Sequence, residues 1–339
     1  MIKRLLFISF LFMLTQTTNA QIGGLHTYEF LDLPGSARVT ANGGIQIAVM
    51  EDDIAMAYQN PALYNKEMHQ KIQIGHQLYF SDIQNGYAAA AYQLKQNITV
   101  SAGLQYISYG SFDRTDYIGN INGTFTAKEY GLVLGGAYQR GKWSYGINTK
   151  WIGSYFDQYN SYGAAADIGV AYNDTSSLFT TSFVIKNIGG QFTSYVDTKE
   201  NLPFDIQFGV SKRLKYVPFR FGIMLHHLHQ WDIRFDDPAM QSSNTFIGDT
   251  TTVKEKTYTV DKLFRHANFT GELYFGKALN IRFGYNHLRR QELQIESRPW
   301  ASGFSGGVGI RVKRFSIDYG KSFYALPAST NHFSLGFRI

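Results

Sequence analysis

The breaks between the apolar runs of this chain alternate short and long, and that alternation limits its fold more than any other feature. From about Lys71 to Ile339 the sequence reads as roughly fourteen strand-like runs. Short breaks fall at Lys95-Gln96-Asn97, Arg140-Gly141-Lys142, 174–177, 214–217, Lys277-Ala278-Leu279 and Lys313-Arg314. Between them lie mostly longer breaks at 81–85, 110–124, 157–161, 188–202, 231–262, 291–298 and 321–331. A membrane barrel has tight turns on one side and longer loops on the other. A soluble sandwich has no reason to sort its loops by parity.

The runs themselves alternate as half-buried strands do. In 97–106, Ile98, Val100, Ala102, Leu104 and Tyr106 share one face, against Asn97, Thr99, Ser101, Gly103 and Gln105. Phe204, Ile206, Phe208 and Val210 alternate with Asp205, Gln207, Gly209 and Ser211. Ile281, Phe283 and Tyr285 alternate with Arg282, Gly284 and Asn286. Charges within strands suit a wet or plugged lumen, with the apolar partners facing lipid. The chain ends with Phe333, Leu335, Phe337 and Ile339 in strict alternation. That ending resembles the recognition signal of barrels folded by the outer-membrane assembly machinery. Together these features predict an all-β fold: a fourteen-stranded antiparallel transmembrane β-barrel over 71–339.

Composition agrees. Aromatic residues make up 16% of the chain, with 23 Tyr and 26 Phe, and there are 33 Gly and only 7 Pro. Residues 1–20 pair Lys3 and Arg4 with an apolar run from Leu5 to Leu14 and a small-residue site ending at Ala20. That is the pattern of a cleaved signal peptide. The run is too short for a membrane helix. The chain has no Cys, which excludes zinc-finger, thioredoxin-like and thiol-nucleophile chemistry. A net charge of +6, without a basic helix or stripe, gives no reason to expect nucleic acid as a partner.

Residues 21–70 do not read as strands. Paired Gly, Leu33-Pro34-Gly35 and Asn60-Pro61 mark turns. Asp52 and Asp53 precede a short helical run from Ile54 to Tyr58, where acids favour a helix N-terminus. Ser36-Ala37-Arg38, Gly43-Gly44, Asp52-Asp53 and Asn60-Pro61-Ala62, in that order ahead of a barrel, resemble the FadL-type outer-membrane family. The resemblance implies an N-terminal plug, or hatch, inside the lumen. Arg38, Asp52, Asp53, Asn60 and Pro61 are expected to have structural roles there, with the paired acids capping the helix and pairing with Arg38. More narrowly, Gly23-Gly24 and 28–38 resemble the PorQ-like barrels of the Bacteroidetes type IX secretion system. That likeness implies a non-enzymatic barrel anchoring a PorZ-like surface protein, with PorU and PorV in the same complex, and attachment of cargo to lipopolysaccharide. The alternative is a FadL-like channel for hydrophobic compounds, which needs an apolar lumen pocket and a gap or kink in the wall.

Other motifs give less. His226-His227-Leu228-His229 would place two imidazoles on one strand face, too few for a metal without outside help. Gly303-Phe304-Ser305-Gly306-Gly307 matches a nucleophile elbow but runs into a strand rather than a helix. Neither catalytic residues nor a cofactor or metal site are expected. The longest loop carries Trp231, Phe235, Phe246 and Tyr258, an expected docking surface for the partner protein. Arg289, Arg290 and Arg298 flank another outer loop and are expected to meet lipopolysaccharide phosphates.

Overall fold

The computed structural model describes residues 26–234, 259–293, 301–325 and 328–339. Residues 1–20, the expected signal peptide, lie outside them. Among the described residues are fourteen strands: β1 (Lys71–Leu78), β2 (Gln84–Lys95), β3 (Ile98–Thr115), β4 (Ile121–Arg140), β5 (Trp143–Phe156), β6 (Tyr159–Asp174), β7 (Phe179–Thr193), β8 (Asp205–Arg213), β9 (Phe219–Leu225), β10 (Ala267–Phe275), β11 (Leu279–Asn286), β12 (Phe304–Val312), β13 (Phe315–Phe323) and β14 (Ser329–Arg338). Each pairs antiparallel with its neighbour in sequence, and β14 pairs with β1 from Lys71↔Arg338 to Leu78↔Asn331. The barrel is closed and has no edge strand, which removes the template for aggregation that an edge presents.

The alternation sorts the wall. Ile72, Ile74, Phe333, Leu335 and Phe337 face outward and are exposed, while Gln73, Gln77, His332 and Ser334 are buried inside. An apolar outside and a polar inside is the reverse of a soluble sandwich and fits a barrel in lipid. Such barrels belong to the bacterial outer membrane, with the short turns and both barrel termini on the periplasmic side.

Two connectors differ most from expectation. The break at 110–124 is mostly strand: β3 runs to Thr115 and β4 starts at Ile121. This hairpin extends past the bulge at Ser108/Ser111, held by Phe112 stacked on Phe125 with centroids 5.3 Å apart. Its tip is closed by Asp116, whose carboxylate accepts from the amides of Ile118 and Asn120. The break at 157–161 shrinks to a tight turn, since Phe156 already pairs with Tyr159. Asp157 supplies the left-handed backbone that such a turn needs, at φ 54°.

Residues 26–70 fill the lumen with short helical pieces: a 3₁₀ turn (Glu29–Asp32), α1 (Ala37–Ala41), α2 (Ile54–Gln59) and two further turns (Pro61–Leu63 and Lys66–Met68). Helices of five or six residues do not persist alone. Each of the last four pieces starts at a side-chain cap: Ser36 accepts from the Val39 amide, Asp53 from Ala55, Asn60 from Ala62, and Asn65 from Glu67. All of α2 is buried, and Tyr58, Leu63 and Tyr64 pack with Tyr87, Val133 and Ala137 of the wall. Two wall glycines make room for the Asn60-Pro61 turn. A Cβ at Gly146 would overlap the Pro61 backbone, and one at Gly169 would overlap the Asn60 side chain.

Candidate functional site

The hatch meets the barrel through two charged networks, one near the periplasmic mouth and one near the outer mouth. The inner network centres on Glu272 of β10. Arg38 grips it with both donors, Nε to Oε1 at 2.8 Å and Nη2 to Oε2 at 2.6 Å, the paired geometry that suits guanidinium and carboxylate. Arg220 and Arg282 approach the same carboxylate at 3.2 and 3.6 Å, and Asn42 donates to it at 3.0 Å. Glu51 of the hatch lies between Arg220 at 2.6 Å and Arg38 at 2.7 Å. The Arg38 contact is close but poorly aligned for a hydrogen bond, so it acts as a charge contact. Burial alone would push the Glu51 carboxyl up, yet Arg220 and Arg38 hold it well below its usual range.

Asp52 pairs with Lys71 at 2.8 Å and Arg311 at 2.9 Å. Burial opposes its charge, but Lys71 and Arg311 win and keep it below the ordinary carboxylate value. The pairing of Arg38 with the paired acids does not occur: Glu51, one residue earlier, takes Arg38 instead. Asp53 turns the other way, capping α2 and accepting from Gln73 at 2.7 Å and from Ser36 at 3.0 Å. Asn60 caps the turn that starts at Pro61 and also donates to the Ile47 carbonyl at 3.0 Å.

The outer network sits on a defect in the wall. Between Ala166 and Ile168 the β6–β7 register slips, so Lys186 and Asn187 together oppose Asp167. Both point inward and are buried, and Asn187 takes a left-handed conformation at φ 57°. This is a β-bulge, which bends its strand. Asn187 donates its amide to Asp167 at 2.8 Å, and Lys150 bridges Asp167 and Asn187 at 2.8 Å each. Lys186 reaches Asp32 of the hatch at 2.8 Å. The β7–β8 ladder ends at Lys186↔Asp205, so the outer part of β7 pairs only with β6.

Against this kink lies an apolar cluster. Tyr28, Phe30 and Leu31 of the hatch pack with Ile107, Ile152, Ala165 and Leu202. The hatch crosses the outer mouth here, with the Thr27 amide donating to the Asn201 carbonyl at 3.0 Å.

The expected surface sites separate. Trp231 is 59% exposed and stacks on His266 at the outer mouth; Phe235, Phe246 and Tyr258 lie outside the described residues, as does Arg298. Arg289 and Arg290 sit on a short helix, α3 (His287–Leu293). Arg289 is turned inward, donating to Ser322 at 2.6 Å and stacking over Tyr324. Arg290 donates to the Ser302 carbonyl at 3.3 Å and lies over the outward ring of Phe304. The histidines are not on a strand face, because β9 ends at Leu225. His226 and His227 instead meet through their Nδ1 atoms at 2.6 Å, and His229 stands 3.8 Å from Asp205. Among the described residues no three His, Asp or Glu side chains converge as a metal site would require. Ser305 points into the lumen and donates to the Ala41 carbonyl at 2.9 Å, a tie to the hatch rather than a nucleophile elbow. Glu272, Arg220, Lys150 and Lys186 carry one signal in the sequence, charge at inward-alternating strand positions, which does not single any of them out.

No family model and no curated protein matches the chain. Solved structures do. The toluene transporter TbuX of Ralstonia pickettii superposes with a TM-score of 0.53 at 10% identity, over 91% of this chain and 99% of that one. The toluene transporter TodX of Pseudomonas putida gives a TM-score of 0.52 at 10% identity, over 94% and 98%. At this identity the likeness is one of fold. The fold class is therefore a closed fourteen-strand antiparallel β-barrel with an N-terminal plug, the fold shared with these two transporters.

Proposed function

We propose that this chain is a gated outer-membrane passage for small hydrophobic compounds, with residues 26–33 as the gate. The observation that carries this reading is the apolar cluster under the outer mouth, placed directly against the bulged part of the wall. A passage for apolar compounds needs such a pocket beside a kink. Here the hatch rings of Tyr28 and Phe30 occupy the volume that a cargo would take. Displacing them exchanges one set of apolar contacts for another and gives up two hydrogen bonds, from Tyr58 to the Leu31 carbonyl and from Gln105 to the Phe30 carbonyl. The latch is the Lys186–Asp32 pair. Asp32 is a third exposed, and a pair open to water is worth little, roughly 0–1 kcal/mol. The fold shared with the two toluene transporters supports the reading, and the substrate class is taken from them as a proposal.

The test is initial uptake of labelled toluene by cells whose outer membrane lacks any other such passage. Expression of the full chain is expected to raise the rate, and Lys186→Gln to raise it further. A rate equal to that of cells without the chain sinks the proposal.

A second reading has its own observation. The β3–β4 hairpin carries Tyr117, Ile118 and Ile121 at its tip, exposed by 98%, 69% and 65%. Large apolar side chains held out from a barrel in this way fit a protein-docking surface. On this reading the barrel anchors a PorZ-like surface protein, with PorU and PorV nearby and lipopolysaccharide within reach of Arg290. Pull-down from detergent tests it: a surface protein that stays bound to the full chain and is lost with Tyr117→Ser and Ile118→Ser supports docking at the tip, and recovery of the barrel alone defeats it.

A further inference from the structure

At the periplasmic mouth lies a cavity of about 570 Å³, away from both the gate and the hairpin tip. Its floor is the hatch, through Asp52 and Glu67. Its walls are the β10–β11 and β12–β13 turns and the paired ends of β1 and β14. Six cations line it, namely Lys71, Lys277, Arg311, Lys313, Arg314 and Arg338, against those two carboxylates. Asp52 is already engaged by Lys71 and Arg311, with Arg338 at 3.9 Å, so Glu67 is the one carboxylate here without an ion pair among the described residues. Arg338 is also tied to the Glu67 carbonyl at 2.6 Å. Among the described residues no acid lies within ion-pair distance of Lys277, Lys313 or Arg314.

Uncompensated cations around a concave site are an anion receptor, because a cleft concentrates the field of its walls. Primary amines and guanidinium groups together match a phosphate, as point charge and as fork. The cavity also has an apolar neighbour. Phe315 lines it and packs at a tilt against Phe337, with centroids 5.0 Å apart, on the lipid-facing side of the wall. Val312 and Ile317 extend that face outward, exposed by 57% and 54%. A ligand with an anionic head and an apolar tail meets both surfaces at once, head among the turns and tail along the wall.

We infer that this cavity binds the phosphate headgroup of an anionic glycerophospholipid from the periplasmic leaflet. The site ties the hatch floor and two turns of the wall to the lipid, so occupancy braces the inner end of the plug.

The full chain in neutral detergent is titrated with short-chain phosphatidylglycerol, with phosphatidylcholine of the same acyl length, and with inorganic phosphate. Bound lipid is counted by native mass spectrometry. One phosphatidylglycerol is expected to be retained at concentrations where phosphatidylcholine is not. The exposed-turn variant Lys277→Gln, Lys313→Gln, Arg314→Gln is expected to lower the apparent affinity at least roughly tenfold. A control, Lys95→Gln with Lys215→Gln, removes charge from other turns on the same rim and is expected to leave binding unchanged. Equal retention of phosphatidylcholine, undiminished binding by the triple variant, or an equal loss in the control overturns the site. Displacement of phosphatidylglycerol by equimolar inorganic phosphate overturns the lipid assignment.

Discussion

The inner and outer ends of the hatch are both held by ion pairs, but the two sets work in different surroundings. At the inner end Arg38 and Glu272 are almost wholly buried, at 2% and 1% side-chain exposure, and share their charges with Glu51, Arg220 and Arg282. At the outer end Lys186 is buried, but its partner Asp32 is 35% exposed and reaches water. Removing one member of a buried pair strands a charge where water cannot reach it. Removing one member of the outer pair leaves a carboxylate that water can serve. The contrast teaches that similar distances, 2.6 and 2.8 Å, describe a clamp at one end and a latch at the other.

The largest expected effect tests the clamp. Arg38→Ala leaves Glu272 and Glu51 with fewer counter-charges and should destabilise the plugged barrel by about 3–5 kcal/mol. The measurement is the gel-mobility transition on heating, whose midpoint should fall clearly. A midpoint equal to that of the parent chain breaks the contrast at its stronger end.

Acid probes the same clamp without mutation. Glu51 and Asp52 are both held below their ordinary values of 4.5 and 3.8. A carboxyl depressed in the native state contributes its full stability above the unfolded-chain value and loses it as pH falls through the native one. The stability these two carboxyls contribute should therefore be flat from neutral pH down to about 4.5 and decline below it. Asp52→Asn should make that decline shallower. A decline of the same depth in a chain carrying Arg38→Ala would assign the acid loss to groups outside this network.

Much of the barrel was legible because strand alternation is local, while the lock was not because its partners are distant. The terminal run Phe333, Leu335, Phe337, Ile339 and the run Phe204 to Ser211 each declare an outward face over a few residues. The 110–124 hairpin reads as loop in the sequence because Gly110, Gly119 and Gly123 interrupt it; its order comes from Phe112 against Phe125, a contact across the pair. Alternation also says that Glu272 faces inward, but not at which angle around the barrel. Arg38 and Glu272 are 234 residues apart, and only closure of the barrel brings them together. Arg289 reads as an outward contact because a seven-residue helix leaves too little periodicity to place it; α3 turns it into the mouth, over Tyr324.

A packing change tests whether shape as well as charge seats the inner part of the plug. Gly146 faces the Asn60-Pro61 turn so closely that any Cβ overlaps the Pro61 backbone. The wall strand is paired on both sides and the turn is capped by Asn60, so neither side yields freely. Gly146→Ala should cost about 1–3 kcal/mol, the usual penalty for overpacking a tight site. The same heating transition reads it. A neutral result would mean that the turn shifts as a unit, and that the clamp alone holds the inner end.

The smallest expected effect on stability, and the one that sharpens the contrast most, comes from the latch. Lys186→Gln removes the charge facing Asp32 while Asn187 still donates to that carboxylate at 3.2 Å and water reaches its open side. The heating midpoint should move by no more than about 1 kcal/mol equivalent. Local opening should change instead. The Tyr28–Leu31 segment is held by the latch, by the apolar cluster and by the Thr27–Asn201 contact, none of which involves the Glu272 network. Backbone amides of 27–33 should therefore exchange with deuterium faster in the variant, while those of α1 keep their protection. Faster exchange in both segments would mean that the hatch opens as one body, and the distinction between clamp and latch would fall.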